Sequence, residues 1–318
     1  MPVDITWLPL SPTRIGQQLV KGVAQTMHVA SGVRRAMHQV DAIHVHATAF
    51  WGFMPAIVVA LMRPAGSCRM VLTLHGAYTR EFCDRWSPLI RSVCHRYDAV
   101  TVPSSYLVDL LKAVDVNAQL LPNIAPSASR VGPATYNKIR TFISLRPHVS
   151  PYNVDLIAEG FESIAHCMPD GSMTIVCADS SELSKVITDR ANRLSQGRMM
   201  ILPALNHDEV MRQLAHHDFM ISASSRETFG IGILEAMVNG TIPICADVGN
   251  VRALIGEEER GYLIRELTAP GIASAMRRAV TSSSSTRARM RAEMAEFVKK
   301  YSWNSLREVY LARIFDAN

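Results

Sequence analysis

Two carboxylates eight residues apart are the feature of this chain whose spacing most clearly suggests chemistry. Glu227 and Glu235 enclose a short loop, TFGIG, which runs into an uncharged helix start. A loop with two glycines that leads into a helix presents unpaired backbone N–H groups, and these suit a phosphate. If the eight residues were all helical, the two carboxylates would be separated by about 12 Å at ~1.5 Å per residue.

That separation indicates the kind of ligand. Two carboxylates that flank one glycosidic bond stand roughly 5–9.5 Å apart, so about 12 Å is too long for them. It fits two carboxylates that hold opposite ends of a long ligand with phosphates in the middle, such as a nucleotide diphosphate sugar. The alternative is an amphipathic helix packed on a strand with two solvated glutamates, which leaves the two-glycine loop unexplained.

The stretch that contains both glutamates, SASSRETFGIGILEAMVNGTIPICAD, resembles the retaining glycosyltransferases of family 4, which have the GT-B fold. The resemblance is carried by E-x7-E, by Phe-Gly after the first Glu, by Glu-Ala-Met at the second, and by Gly240, Pro243 and Gly249 in step. It implies transfer of a sugar, of the hexosyltransferase type, from a nucleotide diphosphate sugar to a hydroxyl acceptor with retention at the anomeric carbon. It also implies that Glu227 binds donor-sugar hydroxyls and that Glu235 binds the ribose of the nucleotide.

The same resemblance implies roles for neighbouring residues. The loop at the donor sugar and phosphates would be formed by Thr228, Phe229, Gly230 and Ile231. The family has an arginine at the position of Arg146, where it neutralises the donor diphosphate with a planar guanidinium that stays charged. The lysine that follows in the family is replaced here by Tyr152 or Asn153, so Arg146 and the helix N-terminus would carry the charge of the leaving group.

A His-Gly pair, His75 and Gly76, follows a predicted strand in the first half of the chain. In the family such a histidine faces the donor sugar across a cleft, where it could hydrogen-bond a sugar hydroxyl or polarise the acceptor. His44 and His46 share one face of another predicted strand. Since no third metal ligand is evident, both are interpreted as structural, with His46 near the cleft. The predicted catalytic residues are therefore Glu227, Arg146 and His75, and no metal site is predicted.

The absence of an Asp-x-Asp sequence bears on metal dependence. Transferases that hold a diphosphate through a divalent ion usually need such a carboxylate pair. A metal-independent mechanism is therefore preferred, in which Arg146 and backbone dipoles stabilise the departing diphosphate. No G-x-G-x-x-G follows a strand, which argues against a nicotinamide or flavin enzyme. We predict no cofactor, with the nucleotide diphosphate sugar as a substrate.

Composition describes a globular protein with room for two domains. The chain has 318 residues, 48% of them hydrophobic and 19% charged. Its six cysteines are scattered without a C-x-x-C, so neither a disulfide framework nor a zinc site is expected, and a reduced cytosolic compartment fits best. No signal peptide is expected. The uncharged run between Asp41 and Arg63 is interpreted as a strand, a turn and a helix, not as a membrane span.

Positive charge is concentrated in the first part of the chain. Residues 1–140 hold 14 Lys and Arg against 7 Asp and Glu, within a net charge of +5. This surplus could meet an anionic membrane or a phosphorylated acceptor, and ordinary surface charge is the alternative. No nucleic-acid-binding motif is recognised. Family analogy suggests polysaccharide or glycolipid synthesis on a lipid-linked acceptor, by a cytoplasmic protein that is peripheral at the inner membrane face.

Strand and helix signals alternate along the chain, which predicts α/β architecture. With the resemblance, this predicts two Rossmann-like domains facing a cleft. A segment rich in Pro, Ser, Ala and Gly over residues 125–133 suggests the linker. We therefore expect an acceptor-side domain over residues 1–132 and a donor domain over 133–318, which ends in terminal helices with Trp303 and Tyr310 on an apolar face. The serine run over 281–286 is expected to be a loop.

The resemblance is poor before about residue 36. Family members begin with a strand, a glycine-rich loop and a helix before a strand like Val3–Leu8, so the first domain is expected to be shortened. Three explanations stay open: the protein works without the loop, a partner chain supplies it, or the open reading frame is incomplete. The rival to an enzyme is thus a non-catalytic nucleotide-sugar-binding or regulatory subunit. The retained Glu227, Glu235, Arg146 and His75 favour the enzyme.

Overall fold

The protein, seen here as a computed structural model, forms two compact α/β units. The structure describes residues 30–35, 39–63, 68–126, 140–179, 181–194 and 197–315. The first unit contains the chain up to Pro122 together with the residues from Arg307 on, and the second contains Asn123–Leu306. The predicted strand Val3–Leu8 and all but the first two residues of the predicted linker lie outside the described residues.

The first unit is built on a four-stranded parallel sheet in the order β1-β2-β3-β4. Its strands are β1 (Ala42–Ala47), β2 (Arg69–Leu74), β3 (Ala99–Val102) and β4 (Ala118–Leu120). Parallel neighbours need a crossover, and each of the three is a helix: α1 (Met54–Leu61), α2 (Thr79–Cys94) and α3 (Ser105–Lys112). A 3-10 turn over Phe50–Phe53 leads into α1.

Local chemistry sets where these helices begin and bend. Ser104 caps α3, because its hydroxyl accepts the backbone N–H of Leu107 at 3.4 Å. The backbone of α2 leaves helical geometry at Trp86, with φ −129°. Pro88 explains the kink, since a proline inside a helix removes a donor and crowds the carbonyl four residues earlier.

The second unit is built on a six-stranded parallel sheet in the order β10-β9-β8-β5-β6-β7. Its strands are β5 (Thr141–Ser144), β6 (Ser172–Ala178), β7 (Met199–Pro203), β8 (Phe219–Ser222), β9 (Ile242–Ala246) and β10 (Tyr262–Ile264). Its helices are α4 (Val154–Ile164), α5 (Glu182–Arg193), α6 (His207–Ala215), α7 (Ile231–Val238), α8 (Val251–Ile255), α9 (Ala269–Thr281) and α10 (Ser284–Lys299). Every residue of β8 and β9 is buried, as in a parallel sheet covered on both faces.

The strand order of this sheet reverses between β5 and β8. The chain lays β6 and β7 on one side of β5 and then places β8, β9 and β10 on the other, with Phe142 paired to Phe219. Open α/β sheets bind ligands beyond the carboxyl ends of the strands at such a switch point. Arg146 follows β5 and Glu227 follows β8, so the topology alone brings these two loops together.

A buried carboxylate fixes the other end of the same strand pair. Oδ2 of Asp218 accepts the backbone N–H groups of Arg140 and Thr141 at 3.0 Å each and the Thr141 hydroxyl at 2.8 Å. Asp218 is 2% exposed. These bonds hold the start of β5 against the start of β8.

The C-terminal helices form as predicted, with two corrections. The serine run is not a loop throughout: Ser283 caps α10 by accepting the N–H of Thr286 at 3.0 Å, because a serine hydroxyl satisfies a donor of the first turn. In the last helix, α11 (Trp303–Phe315), the Trp303 side chain is 48% exposed and so does not lie on a buried face. Tyr310 does face protein, since its hydroxyl donates to the Pro122 carbonyl at 2.8 Å.

Candidate functional site

An ion pair joins the two strand-end loops at the switch point. Nη2 of Arg146 donates to Oε2 of Glu227 at 2.5 Å. The two side chains are only 24% and 15% exposed. This bond uses one of the five N–H donors that a guanidinium carries. The family resemblance implies that Glu227 binds sugar hydroxyls and Arg146 binds the diphosphate. In the structure the two side chains form an ion pair with each other.

The residues at the expected lysine position support this pair. The guanidinium of Arg146 lies over the ring of Tyr152, 5.4 Å from its centroid. Asn153 adopts a left-handed conformation with φ 51°, and its Nδ2 donates to the carbonyl of Ala223 at 2.8 Å. Tyr152 therefore stacks on Arg146, and Asn153 ties the loop after β5 to the end of β8.

A buried asparagine holds the loop that carries Glu227. The backbone N–H of Asn250 donates to the Glu227 carbonyl at 3.1 Å, and its Nδ2 donates to the Phe229 carbonyl at 2.9 Å. The N–H of Phe229 in turn donates to Oε1 of Glu227 at 3.4 Å. The carboxylate is thus positioned before any ligand arrives, which is what electrostatic stabilisation of a reaction needs. Asn250 carries no sequence signal beyond its place after Gly249.

Gly249 permits the close approach between this turn and the Glu227 loop. Its φ is +55°, and a Cβ added there would lie 1.8 Å from the carbonyl oxygen of Glu227. Glycine tolerates both the conformation and the contact. A glycine is therefore required at position 249 because the backbone there packs directly against the Glu227 loop.

We predict that Gly249→Ala destabilises the protein much more than Gly197→Ala. Gly197 also has a positive φ, +61°, but a Cβ there would meet nothing within 4 Å. Gly197→Ala should cost about 1 kcal/mol for the left-handed backbone alone. Gly249→Ala adds a collision with backbone and should cost about 2–4 kcal/mol in total. Urea unfolding measures both, and equal losses would show that the close approach does not occur.

The start of α7 is capped by backbone alone. Gly230, with φ +93°, is the N-cap residue and makes no side-chain cap bond. The N–H groups of Ile233 and Leu234 donate to the Gly230 carbonyl at 2.9 and 3.2 Å, so those of Ile231 and Gly232 precede the first intrahelical bonds. Such N–H groups can bind an anion.

The four predicted loop residues differ in what they expose. Thr228 and Phe229 are buried, and the Phe229 ring packs edge-on against Tyr301 with centroids 5.9 Å apart. Phe229 is therefore a core residue that can act on a ligand through its backbone only. Ile231 is exposed, at 37% of its area.

The premise of eight helical residues between the glutamates is wrong. The helix α7 begins at Ile231, so Glu227 stands in the loop and only the stretch up to Glu235 rises as a helix. Residues 228–230 form the loop that replaces the expected helical turn, and Gly232 lies within α7. Burial raises the pKa of Glu235, and the charges of His207 and then Arg146 partly oppose that rise, so Glu235 still belongs to the same cluster.

A histidine that the sequence did not single out stands beside Glu235. Nδ1 of His207 lies 3.7 Å from Oε1 of Glu235. His207 is the first residue of α6, whose start is fixed by a capping box between Asn206 and Glu209. The signal that could have found it is its place after β7, at the carboxyl edge of the same sheet.

His75 belongs to the first unit and has a histidine as its partner. It follows β2, and its backbone N–H donates to the Ala47 carbonyl at 2.8 Å. Its Nε2 lies 2.9 Å from Nδ1 of His46. Burial, and then the charge of His46, lower the pKa of His75 to about 4. His75 is therefore neutral near pH 7 and suited to hydrogen bonding.

The described ranges contain neither a metal-ligand cluster nor a membrane-spanning helix. There, no group of three or more His, Cys, Asp or Glu side chains is arranged to hold a metal ion. None of the helices in those ranges combines the length and apolar character needed to cross a membrane.

Comparison with known proteins places this geometry in a family. Residues 134–299, more than half of the chain, match the family model of the glycosyl transferases group 1. Residues 5–124 match the model described as glycosyltransferase family 4. The chain belongs to the group 1 glycosyltransferases. The prediction of a transferase is confirmed at this level.

The individual relatives have low sequence identity to this chain, but the matches cover most of its length. The chain is 24% identical to the GDP-mannose:cellobiosyl-diphosphopolyprenol alpha-mannosyltransferase of Xanthomonas campestris, over 92% of this chain and 78% of that protein. It superimposes on sucrose-phosphate synthase from Thermosynechococcus elongatus with a TM-score of 0.73 at 15% identity, over 95% and 80% of the two chains. Anabaena Alr3699/HepE in complex with UDP and glucose gives a TM-score of 0.68 at 16% identity, over 94% and 83%. These superpositions confirm the predicted GT-B fold of two parallel-sheet Rossmann-like domains.

Proposed function

We propose that this glycosyltransferase moves a hexose from a nucleotide diphosphate sugar to a hydroxyl acceptor, with retention at the anomeric carbon and without a metal ion. The observation that supports it most is the bond between Arg146 and Glu227 at the switch point of the second sheet. A cation and a carboxylate are held there, beside a helix start with free first-turn donors. A nucleotide diphosphate sugar offers hydroxyls and phosphates to match both.

The donor fits this cluster in one orientation. Its phosphates would lie at the first-turn N–H groups of α7 and at the N–H groups of Arg146 that do not bind Glu227. Glu227 would accept hydrogen bonds from the sugar hydroxyls, and Glu235 from the ribose hydroxyls. His207, close to Glu235, would then stand near the nucleoside. The second unit is thus the donor side of our proposal and the first unit the acceptor side.

The chemistry follows from where charge develops. The bond between the anomeric carbon and the diphosphate oxygen breaks, and the electron pair leaves with the diphosphate. The acceptor oxygen bonds to the same face of that carbon, and its proton passes to a diphosphate oxygen. Because negative charge on the diphosphate grows during cleavage, fixed donors help the transition state more than the ground state. Arg146 and the start of α7 are those donors.

The acceptor in our proposal is a hydroxyl of a lipid-linked glycan. The Xanthomonas relative is named for a diphosphopolyprenol-linked acceptor, and a basic surplus in residues 1–140 fits a diphosphate or an anionic membrane. His75 would hydrogen-bond the acceptor hydroxyl. The setting is polysaccharide or glycolipid synthesis.

A nucleotide screen followed by a transfer assay tests the proposal. The diphosphates of uridine, guanosine, adenosine, thymidine and cytidine are compared by thermal shift, and a ligand at 100 times its dissociation constant adds roughly 2.7 kcal/mol. Sugar esters of the best nucleotide are then offered with diphosphopolyprenol-linked glycans, and the anomer of the product is assigned by NMR. An inverted product contradicts retention. Binding without any transfer would favour a non-catalytic nucleotide-sugar-binding subunit.

We predict that Glu235→Gln and Glu235→Ala weaken binding of the nucleotide, with or without a sugar attached, and the bare nucleoside diphosphate is the test ligand. A carboxylate accepts both ribose hydroxyls, while an amide accepts fewer hydrogen bonds and alanine none. Isothermal titration calorimetry measures the affinity, and Glu182→Ala, an exposed glutamate on α5, is the control. An affinity for the nucleotide that stays at the control value would remove the ribose contact.

We predict that transfer survives EDTA. The chain has no Asp-x-Asp, and in our proposal Arg146 and the α7 start stabilise the diphosphate in place of a divalent ion. Turnover is measured after chelation and again after magnesium or manganese is added. Loss of activity on chelation with recovery on adding metal would contradict a metal-independent mechanism.

We predict that Arg146→Ala lowers turnover by about 10²–10³, the usual effect of losing one such donor. Arg146→Lys should recover only part of it, since an ammonium cannot bind Glu227 and a phosphate with a planar fork. Steady-state kinetics on folded variants measures kcat, with Arg212→Ala, an exposed arginine on α6, as the control. Near wild-type turnover in Arg146→Ala would mean that another group bears the charge of the diphosphate.

A further inference from the structure

Three histidines converge at the carboxyl ends of two neighbouring strands in the first unit. His44 and His46 alternate on β1, and His75 follows β2 directly, where its N–H extends the ladder to Ala47. The ring centroids of His44 and His46 are 4.2 Å apart, and those of His46 and His75 are 5.2 Å apart, with the two rings edge to edge and 16° from parallel. The sequence interpretation makes the first two structural, with His46 near the cleft, and part of the His46 residue is exposed to solvent.

The ring of His44 is anchored by two hydroxyls in series. Its Nε2 lies 2.6 Å from the Thr73 hydroxyl, which lies 2.5 Å from the Thr101 hydroxyl. Either hydroxyl can be the donor in the second contact, and the tautomer of His44 sets the direction of the first. These two hydroxyls hold the His44 ring at one edge of the histidine cluster.

The bond between His46 and His75 leaves two nitrogens for a ligand. Each neutral imidazole has one N–H donor and one bare nitrogen. If Nε2 of His75 donates to Nδ1 of His46, then Nε2 of His46 is a donor and Nδ1 of His75 an acceptor. If the bond is reversed, so are these roles. In either case one of these two nitrogens is a donor and the other an acceptor, and they lie at opposite ends of the bonded pair.

We propose that His46 positions His75, because the bond between them fixes the ring and the tautomer of His75 and so decides whether Nδ1 of His75 donates to a hydroxyl or accepts from it. A hydroxyl both donates and accepts, so it can bind this nitrogen in either case. This inference rests on the proposed function, in which His75 faces the hydroxyl acceptor. His46 is a positioning residue in this scheme.

The surroundings keep the pair neutral. Burial, then His46 and His75, lower the pKa of His44 to about 3, and burial lowers the pKa of His46. The groups that contact the cluster from the packed elements are hydroxyls: Thr73 on β2, Thr101 on β3, and Thr79 at the start of α2, which donates to the Gly76 carbonyl at 2.7 Å. One protonated imidazole would repel a second. Removing His46 should therefore make His75 easier to protonate.

Long-range ¹H–¹⁵N NMR of the imidazoles in the full-length protein tests the positioning role without any substrate. His46→Phe keeps an aromatic ring at this position and removes the hydrogen bond, and His95→Phe, an exposed histidine after α2, is the matched control. In the wild type and the control, His75 should show one neutral tautomer and titrate near pH 4. In His46→Phe it should show mixed tautomers and a midpoint higher by about 0.5–1 pH unit.

Each outcome decides the inference. An unchanged tautomer and midpoint of His75 in His46→Phe would overturn it. If that variant does not fold, His46→Gln is used, and its amide should restore a single tautomer while the midpoint still rises. In a transfer assay, the acid limb of kcat should move up by the same shift in His46→Phe, with the KM for the donor unchanged. A protein that binds no nucleotide but keeps the coupled histidines would contradict the proposed function and leave the pairing intact.

Discussion

The parallel pairing of β5 with β8 is the constraint on which the candidate site depends. It places the first and the fourth strands of the second sheet side by side, so the loops that follow them emerge at one edge. Asp218 holds the starts of both strands, and Asn153 ties the loop after β5 to the end of β8. The bond between Arg146 and Glu227 can be short because the backbone on both sides is already fixed. A site held this way loses little freedom when a ligand binds.

The ion pair also means that neither Arg146 nor Glu227 is an isolated charge in the site. A guanidinium opposite a carboxylate is less free to neutralise a phosphate than an unpaired one would be. In return, Glu227 is held in one orientation, by Arg146 on one oxygen and by the N–H of Phe229 on the other. The start of α7 then has to supply more of the stabilisation of an anion, and Gly230 leaves that start without a side-chain cap. Charge and backbone donors therefore have to act together.

The first unit uses the same principle with neutral groups. Two adjacent parallel strands bring histidines to one edge, and hydroxyls from the neighbouring strands orient them. Crowded imidazoles resist protonation because burial and mutual repulsion both disfavour the charged form. The result is a recognition surface of hydrogen-bond donors and acceptors without net charge. Such a surface suits hydroxyls, whereas the second unit, with its arginine and helix start, suits phosphates.

Local pattern was enough to predict the order and type of most elements, because buried parallel strands and amphipathic helices leave strong periodic signals. It also drew attention to Arg146, Glu227 and His75, which follow strands, and to Glu235 through its spacing from Glu227, and their roles toward a ligand stay predictions. It failed on the spacing of the two glutamates, where a loop in left-handed geometry replaced helical turns. It failed as well on the serine run, whose capping role depends on where α10 begins.

The sequence by itself determined the α/β alternation, the two-glycine loop and the identity of the charged and aromatic groups. Only the tertiary structure decided which of them meet: Arg146 with Glu227, His46 with His75, His207 with Glu235, and Asn250 with the Glu227 loop. The physical reason is that the two partners of each pair come from different elements that are distant in the chain. Their distances are set by strand order and register, and these are properties of the sheet that no short stretch of sequence contains.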